Sequence, residues 1–265
     1  MKVEQAKQIA SEAIERLSQA LEKGHSEELK ECLRAMARFH RYSAYNVMLI
    51  LSQRPKASRV AGFHTWRDFG RFVKKGAKGI LILAPIFRKK ASEETSETED
   101  SNRLVGFRPV HVFDLADTDG EPLPALAHTQ GDPAANTERL KQFISSRGIQ
   151  LEYSMDIYPA LGLCTQGKIV LLAGQPPAEE FATLAHEVAH SLLHQRERRA
   201  ETTKCVRETE AEAVAFVVCE SIGLQARSSA DYIQLYNGNK ETLAESLEHV
   251  QRASAEILAA IGLTD

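Results

Sequence analysis

The N-terminal part of the chain alternates apolar and polar residues in a pattern typical of helices followed by short strands. Apolar side chains recur every three or four positions over residues 3–22 and again over residues 26–52, which predicts two amphipathic helices. Pro55 ends the second helix. A short strand over residues 59–63 and a short helix over residues 65–72 follow. These elements predict that helices and strands mix within one small domain.

Two apolar segments flank the most polar stretch of the chain. The continuous run Ile80–Phe87 is typical of a buried strand, and residues 104–113 predict its partner. Residues 91–102 carry five acids and only one apolar side chain, so they predict a solvated hairpin loop within the first domain. The domain boundary is predicted in residues 120–133, which are rich in proline, glycine and acids.

The second half has longer helices and fewer strands. The predicted helices are 137–147, 176–194, 205–222 and 240–261, and the predicted strands are 149–153 and 168–172. The expected fold class is α+β with two domains, a small basic N-terminal domain over residues 1–125 and a second domain over residues 126–265.

Charge supports this division. Between Arg34 and Lys90 there are 14 basic residues and one acid, Asp68. From Leu126 onward there are 12 basic and 19 acidic residues, a net charge of −7, although the whole chain carries only −3. Opposite charge in the two halves indicates that they have different partners.

The composition of the chain bears on its cellular location. No apolar run reaches the roughly 18–20 residues of a membrane span, so no membrane partner is expected. The N-terminus lacks the apolar segment of a signal peptide. The four cysteines are far apart and form no C-x-x-C pair, which argues against a disulfide framework. A cytoplasmic location is therefore predicted.

The segment His186-Glu187-Val188-Ala189-His190 lies within a predicted helix. Histidines four residues apart share one helical face, so their imidazoles can bind one Zn²⁺. Glu187 beside them is the predicted general base. The strand 168–172, which precedes this helix, is expected to be an edge strand that pairs with a substrate peptide.

A catalytic zinc ion needs a third protein ligand and an open position. The metzincin spacing is excluded because Leu193 and Arg196 stand where glycine and histidine would be required. We choose Glu210 on the next helix, since it shares the inward face of that helix and a carboxylate buried there needs a cation. Glu208 and Glu212 remain rivals, as ligands or as groups that orient a histidine. His194, one turn beyond His190, is a further rival for the third ligand, but a role as a packing or site-wall residue is favoured for it.

The basic half interleaves cations with aromatic rings. Such a pattern suits single-stranded nucleic acid, because cations neutralise phosphates and rings stack on unpaired bases. A core role competes for the aromatics, since Trp66, Phe69 and Phe72 have helical spacing. The candidate nucleic-acid-binding residues are Arg41, Tyr42, Tyr45, Asn46, Trp66, Arg67, Arg71, Lys74, Lys75 and Lys78.

Several segments together resemble the ArdC-type antirestriction proteins. They are 42–50, 60–66, 73–80, 112–114, 120–124, 183–194 and 208–216. The resemblance implies an N-terminal domain that binds single-stranded DNA and a C-terminal zinc metallopeptidase domain, similar also to the peptidase domain of ImmA and IrrE proteins. It further implies a gluzincin-like site whose third ligand is a glutamate on the following helix, for which Glu210-Ala211 is the nearest match.

Three functions are consistent with these features. The first is a single-stranded-DNA-binding zinc metallopeptidase that protects DNA or cleaves a DNA-associated protein. The second is a regulatory protease of the ImmA and IrrE kind that cleaves a repressor. The third is a non-catalytic DNA-binding protein with a structural metal. An oxyanion-stabilising group is also needed for peptide hydrolysis, and Tyr158, Tyr232 and Tyr236 are candidates.

Overall fold

The computed structural model describes residues 3–23, 27–88, 103–121, 133–165, 167–224 and 240–263. Its helices are α1 (Val3–Glu22), α2 (Glu27–Arg38), α3 (Ala44–Gln53), α4 (Phe63–Asp68), α5 (Pro133–Ser146), α6 (Pro177–Leu193), α7 (Arg196–Glu201), α8 (Lys204–Ser221) and α9 (Lys240–Ala260). Its strands are β1 (Val60–Gly62), β2 (Arg71–Val73), β3 (Ile80–Arg88), β4 (Arg103–Asp114), β5 (Thr118–Gly120), β6 (Gln150–Ser154), β7 (Gly162–Thr165) and β8 (Lys168–Leu172). The α+β class is confirmed. The predicted loop 91–102 and most of the predicted boundary 120–133 lie outside the described residues.

The chain divides into two compact units. Unit 1 comprises Met1–Ala13 and Met48–Leu123, and unit 2 comprises Ile14–Val47 and Pro124–Asp265. The second part of unit 2 begins beside the predicted boundary after residue 125. Residues 14–47, however, group with the C-terminal half, although a single boundary at 125 would place them in the N-terminal domain.

The helix predicted over residues 26–52 is two helices, α2 and α3, separated by a turn. Contacts with α9 explain the break, because its side chains satisfy the backbone groups that the turn frees. The Gln251 amide donates to the carbonyls of Phe39 (3.1 Å) and Tyr42 (2.9 Å). The Ala44 N–H donates to the Glu248 carboxylate at 3.1 Å. Residues of a distant helix thus cap both sides of the turn.

Unit 1 is built on a three-stranded antiparallel sheet in the order β1-β4-β3. In the pairing of β3 with β4, Ile80 lies opposite Val112, and β3 covers the strand predicted over Ile80–Phe87. The Gln53 side chain at the end of α3 donates to the Leu81 carbonyl (2.8 Å) and accepts from the Leu81 N–H (2.9 Å). The amide therefore pairs with the edge of β3 as a neighbouring strand would.

In a second, two-stranded sheet, β2 pairs with β5, and the Arg71 side chain adds further hydrogen bonds between them. The Arg71 guanidinium donates to the Thr118 hydroxyl at 2.8 Å and to the carbonyls of Thr118 at 3.1 Å and Gly120 at 3.2 Å. It also donates to the carbonyl of Glu121. Arg71 therefore joins β2 to β5 through its side chain in addition to the strand pairing.

Unit 2 is centred on α6, which packs against α5, α8 and α9. Its buried side chains include Phe181, Leu184 and Val188. A three-stranded sheet in the order β6-β8-β7 lies beside it, with β6 parallel and β7 antiparallel to β8. The strand over residues 168–172 is therefore central, which contradicts its predicted edge position. No helix among the described residues is long and apolar enough to span a membrane.

Asp114 is a buried carboxylate that organises the end of β4. It is 2% exposed, and its two oxygens accept from the backbone N–H groups of Ala116 (3.0 Å) and Ser58 (2.7 Å). Asp114→Asn must turn an NH₂ group toward one of these donors, so we expect a loss of about 1–3 kcal/mol of unfolding free energy. Urea unfolding followed by Trp66 fluorescence measures it.

Asp119→Asn is the matched control for this substitution. The Asp119 side chain is 77% exposed and forms a surface ion pair with Lys74 at 3.3 Å. Such pairs contribute about 0–1 kcal/mol. Equal effects of the two substitutions would show that the Asp114 hydrogen bonds contribute no special stability.

Candidate metal centre

Helix α6 carries three residues of the predicted site. Pro177 occupies its first turn, where a missing N–H costs nothing, and the helix continues to Leu193. His186 and His190 lie one turn apart, and their rings contact edge to face with centroids 4.8 Å apart. Glu187 between them is only 6% exposed. The sequence-predicted histidine pair and its neighbouring carboxylate therefore share one part of the helix.

Helix α8 brings a carboxylate to this pair. Nε2 of His186 and Nε2 of His190 are 3.1 Å apart. The Glu208 carboxylate oxygen lies 3.6 Å from the first and 3.4 Å from the second. These three side chains form a group that could hold a metal ion, with their ligand atoms all within 4.8 Å of one another.

The distances within this group fit a cation. Bonds of about 2.0–2.1 Å to a tetrahedral ion place its ligand atoms about 3.3 Å from one another. The observed separations of 3.1, 3.4 and 3.6 Å bracket that value. Two imidazole nitrogens and one carboxylate oxygen also form a donor set typical of a catalytic divalent metal. The residues present therefore fit such an ion.

Glu210, the predicted third ligand, lies elsewhere. Its carboxylate is fully buried and accepts from Arg198 (2.5 Å) and Ser246 (2.7 Å), and it lies 3.0 Å from Nε2 of His194. With both oxygens engaged, it does not join the histidine pair. The structure thus contradicts the choice of Glu210 and places Glu208 beside His186 and His190.

The prediction that Glu210 lies on the buried face of α8 is nevertheless confirmed. Burial disfavours the charged form of Glu210, but hydrogen bonds from His194, Ser246 and Arg198 outweigh it and hold its pKa below the usual value. The cation that a carboxylate buried there needs is Arg198, on the unpredicted helix α7.

The Nδ1 atoms of the two histidines have different neighbours. Nδ1 of His186 lies 3.4 Å from the Glu212 carboxylate. Nδ1 of His190 lies 2.9 Å from Nδ1 of His194, which is buried as predicted. Glu212 therefore has the orienting position that was considered for it, because hydrogen bonds at Nδ1 fix which nitrogen can bind a metal.

Negative charge dominates the electrostatics of the group. Burial lowers the pKa of His186, but hydrogen bonds to Glu208 and Glu212 outweigh it and raise the pKa to about 9. Hydrogen bonds to His186 and His190 hold the pKa of Glu208 far below its usual value. Burial raises the pKa of Glu187, although the two histidines oppose the shift. The cluster therefore favours positive charge at its centre.

Strand β7 passes close to Glu187. A Cβ atom added at Gly162 would lie 2.6 Å from the Glu187 carboxylate and 2.8 Å from the Thr183 methyl group. Glycine is therefore required for this approach of strand to helix. β7 is an outer strand of the sheet, and Leu161 and Leu163 beside Gly162 are 49% and 46% exposed.

The predicted nucleic-acid residues are divided between the two units. Arg41, Tyr42, Tyr45 and Asn46 belong to unit 2, whereas Trp66, Arg67, Arg71, Lys74, Lys75 and Lys78 belong to unit 1. Trp66 is 2% exposed and its indole donates to the Phe113 carbonyl at 2.9 Å, which contradicts a stacking role. The Arg71 guanidinium is held by backbone carbonyls and a hydroxyl, so it is not available to a phosphate.

Unit 1 instead exposes three phenylalanines, and for two of them, Phe69 and Phe72, helical spacing had favoured a core role. Phe63, Phe69 and Phe72 are 46%, 54% and 61% exposed. Arg67, Lys74, Lys75 and Lys78 in the same segment are exposed as well. The alternation of β2, in which Phe72 points outward between two half-buried residues, is a signal that could have identified one of them. We call Phe63, Arg67, Phe69, Phe72, Lys74 and Lys75 the aromatic-basic segment.

Of the predicted oxyanion-stabilising tyrosines, Tyr158 is 75% exposed. Tyr232 and Tyr236 lie outside the described residues.

Residues 4–113 match the family model of the N-terminal domain of the anti-restriction factor ArdC. This segment of the chain therefore resembles the N-terminal domain of ArdC. Its fold is similar to the metal-free crystal structure of the antirestriction protein ArdC from the R388 plasmid, with a TM-score of 0.58 and 20% identity. The match covers 97% of this chain and 99% of that chain.

Two further comparisons extend the likeness. The Mn(II)-bound structure of the R388 protein gives a TM-score of 0.56 at 19% identity, again over 97% of this chain and 99% of that chain. An uncharacterized protein of Bacillus anthracis is 23% identical over 295 residues, which cover 94% of this chain and 50% of that protein. The chain thus spans about half the length of this relative, and the ArdC structures establish likeness of fold.

The close approach at Gly162 can be tested by adding one methyl group. Gly162→Ala forces the new atom against Glu187 and Thr183, and we expect a loss of about 1–3 kcal/mol through overpacking. Hydrogen exchange of β7 amides should accelerate. Gly106→Ala, also in a strand but with open space around its added atom, is the control. Unchanged exchange in β7 would contradict the proximity.

Proposed function

We propose that this protein is of the ArdC type and is a zinc-dependent peptidase that binds single-stranded DNA and acts in antirestriction. The observation that carries the peptidase part is the convergence of His186, His190 and Glu208 beside the buried carboxylate of Glu187. We assign DNA binding to the N-terminal domain, residues 1–125, and the gluzincin-like peptidase site to residues 126–265.

Zinc is the proposed metal because of the donor set. Imidazole nitrogens suit zinc, and three protein ligands leave a position open for water or substrate. His186, His190 and Glu208 would hold the ion. The R388 protein was crystallised with Mn(II), so binding of Mn²⁺ and Zn²⁺ should be compared directly on this chain.

Glu187 is the proposed general base. A bound divalent cation lowers the pKa of water and polarises a carbonyl group. Glu187 then accepts the proton of the attacking water and passes it to the departing amine. This role requires the carboxylate to stay close to the site, and strand β7 packs against it at Gly162.

The outer edge of β7 is the proposed peptide-binding strand. A substrate in extended conformation can pair with an edge strand through main-chain hydrogen bonds. β7 satisfies this requirement because it is the outer strand beside Glu187, and its exposed Leu163 can contact a substrate side chain. The substrate class is therefore an extended polypeptide segment rather than a folded surface.

Glu187→Gln tests the peptidase activity. The amide cannot accept a proton, so we expect metal binding to persist while cleavage falls by about 100-fold or more. Zinc-loaded wild type and variant are incubated with a library of proteome-derived peptides, and new termini are identified by mass spectrometry. Glu220→Gln, the same chemical change on α8, is the control.

Two outcomes would contradict this part of the proposal. One is an identical set of cleavages by the Glu187→Gln variant. The other is an absence of new termini from wild-type protein shown by elemental analysis to contain zinc. In either case the metal site would serve binding or structure, as the non-catalytic alternative predicts.

The aromatic-basic segment is the proposed DNA contact. Exposed phenylalanine rings offer faces for unpaired bases, and the neighbouring cations Arg67 and Lys75 offer charge for phosphates. Phe69 and Phe72 are the most exposed rings of the segment. This combination favours single strands over duplex DNA, in which the base faces are hidden.

Phe72→Ala tests the DNA contact. Removing one stacking ring is expected to weaken binding to a single-stranded oligonucleotide by about 1–3 kcal/mol, or roughly five- to 150-fold. Fluorescence anisotropy at several salt concentrations measures it. Phe87→Ala is the matched control. It removes a ring that is 56% exposed and lies near the C-terminal end of β3, outside the aromatic-basic segment. Equal, weak binding of wild type to single and double strands would exclude the proposed preference.

A further inference from the structure

A buried chain of side chains leads away from the proposed metal site, and we propose that Glu210, acting through His194, is the positioning residue that makes His190 a metal ligand. The chain runs from Nδ1 of His190 to Nδ1 of His194 (2.9 Å), and from Nε2 of His194 to the Glu210 carboxylate (3.0 Å). This inference rests on the metal site proposed above.

Glu210 is anchored from three elements. Arg198 of α7 and Ser246 of α9 donate to one of its oxygens, at 2.5 and 2.7 Å, and His194 at the end of α6 meets the other. Glu210 is fully buried and the His194 side chain is 1% exposed. Water therefore cannot replace either partner without opening the helix packing.

The order of protons along the chain follows from the chemistry of its members. An ionised carboxylate only accepts hydrogen bonds, so Nε2 of His194 must donate to Glu210. A neutral histidine that donates at Nε2 can only accept at Nδ1. Nδ1 of His190 must then donate to His194, which leaves the lone pair of His190 on Nε2.

This proton order determines which nitrogen of His190 can bind the metal ion. Nε2 of His190 is the atom that lies 3.1 Å from Nε2 of His186 and 3.4 Å from the Glu208 carboxylate. A lone pair at that atom is the form that binds a metal ion. The charge of Glu210 thus acts two hydrogen bonds away, by selecting the tautomer of His190.

The hydrogen-bond acceptor beside Nδ1 of His186 is more exposed than the one beside Nδ1 of His190. Nδ1 of His186 faces Glu212 directly at 3.4 Å, and that carboxylate is 30% exposed. Water can replace the partly exposed Glu212 carboxylate as the acceptor for His186. The acceptor for His190 is Nδ1 of the buried His194, which water cannot reach. Loss of Glu212 should therefore affect the metal less than loss of Glu210.

A purely structural role of Glu210 makes a different prediction. If Glu210 only stabilised the fold by pairing with Arg198, its substitution would affect folding. Glu210 would then not determine which nitrogen of His194 carries the proton. Wild-type protein distinguishes the two roles without any substitution. Long-range ¹H–¹⁵N correlation spectra of the metal-free protein should show His194 protonated at Nε2. Protonation of His194 at Nδ1 would overturn the proposal, even if the variants described next failed to fold.

Glu210→Gln reverses the proton order. Arg198 can only donate, so the amide oxygen must face Arg198 and the NH₂ group must face His194. His194 then accepts at Nε2 and donates from Nδ1, which moves the proton of His190 to its Nε2. We expect the Kd for Zn²⁺, measured by competition with a chelator, to rise about 10- to 100-fold.

Matched variants complete the experiment. Glu220→Gln should leave the Kd unchanged, Glu212→Gln should raise it less than Glu210→Gln, and Glu208→Gln should raise it most. A Glu210→Gln variant with wild-type affinity would refute the inference while leaving the metal site intact. Failure of wild type itself to bind Zn²⁺ or Mn²⁺ would instead refute the proposed metal site, and the spectra of His194 would still decide the direction of the hydrogen bonds.

Discussion

The buried carboxylate of Glu210 fixes the arrangement of the helices around the candidate site. A fully buried charge costs several kcal/mol unless it is paired and hydrogen-bonded. Arg198, Ser246 and His194 meet this requirement, so they tie α7, α9 and the end of α6 to α8. Because Glu210 must face these partners, it contributes to setting the rotation of α8 about its own axis, together with the buried apolar residues of that helix.

That rotation places the neighbouring glutamates. Residues two apart on a helix differ by about 200° in direction, and residues four apart lie on one face. With Glu210 directed to Arg198, Glu208 and Glu212 lie one turn apart on another face of α8. There they meet His186 and His190. The acid at every second position thus supplies three carboxylates with three different environments.

Periodicity was sufficient to predict the long elements of unit 2 and the histidine pair. Helices α6, α8 and α9 have sustained apolar faces, and their predicted bounds differ from the observed ones by at most one residue. The identity of the third site residue could not be obtained in this way. The inward position of Glu210 was predicted correctly, but its cation was taken to be the metal. Arg198 lies on a six-residue helix that carries no periodic signal.

Tertiary contacts explain the errors in the N-terminal part. The break between α2 and α3 depends on Gln251 and Glu248, more than 200 residues away along the chain. The helical spacing of Trp66, Phe69 and Phe72 suggested one buried stripe, yet α4 ends at Asp68. Only Trp66 is therefore buried, and Phe69 and Phe72 remain exposed. A helix of under two turns is too short for spacing to predict which side chains share its buried face.

His194 decides which glutamate can approach the histidine pair. It extends the row of His186 and His190 by one further turn, and its ring contacts that of His190 with centroids 5.0 Å apart. Glu210 meets this third ring rather than Nε2 of His190. A small residue at position 194 would leave the buried carboxylate of Glu210 without one of its partners and Nδ1 of His190 without its acceptor. The third histidine therefore separates two carboxylates that are only two residues apart, leaving Glu208 at the centre of the site and Glu210 behind it.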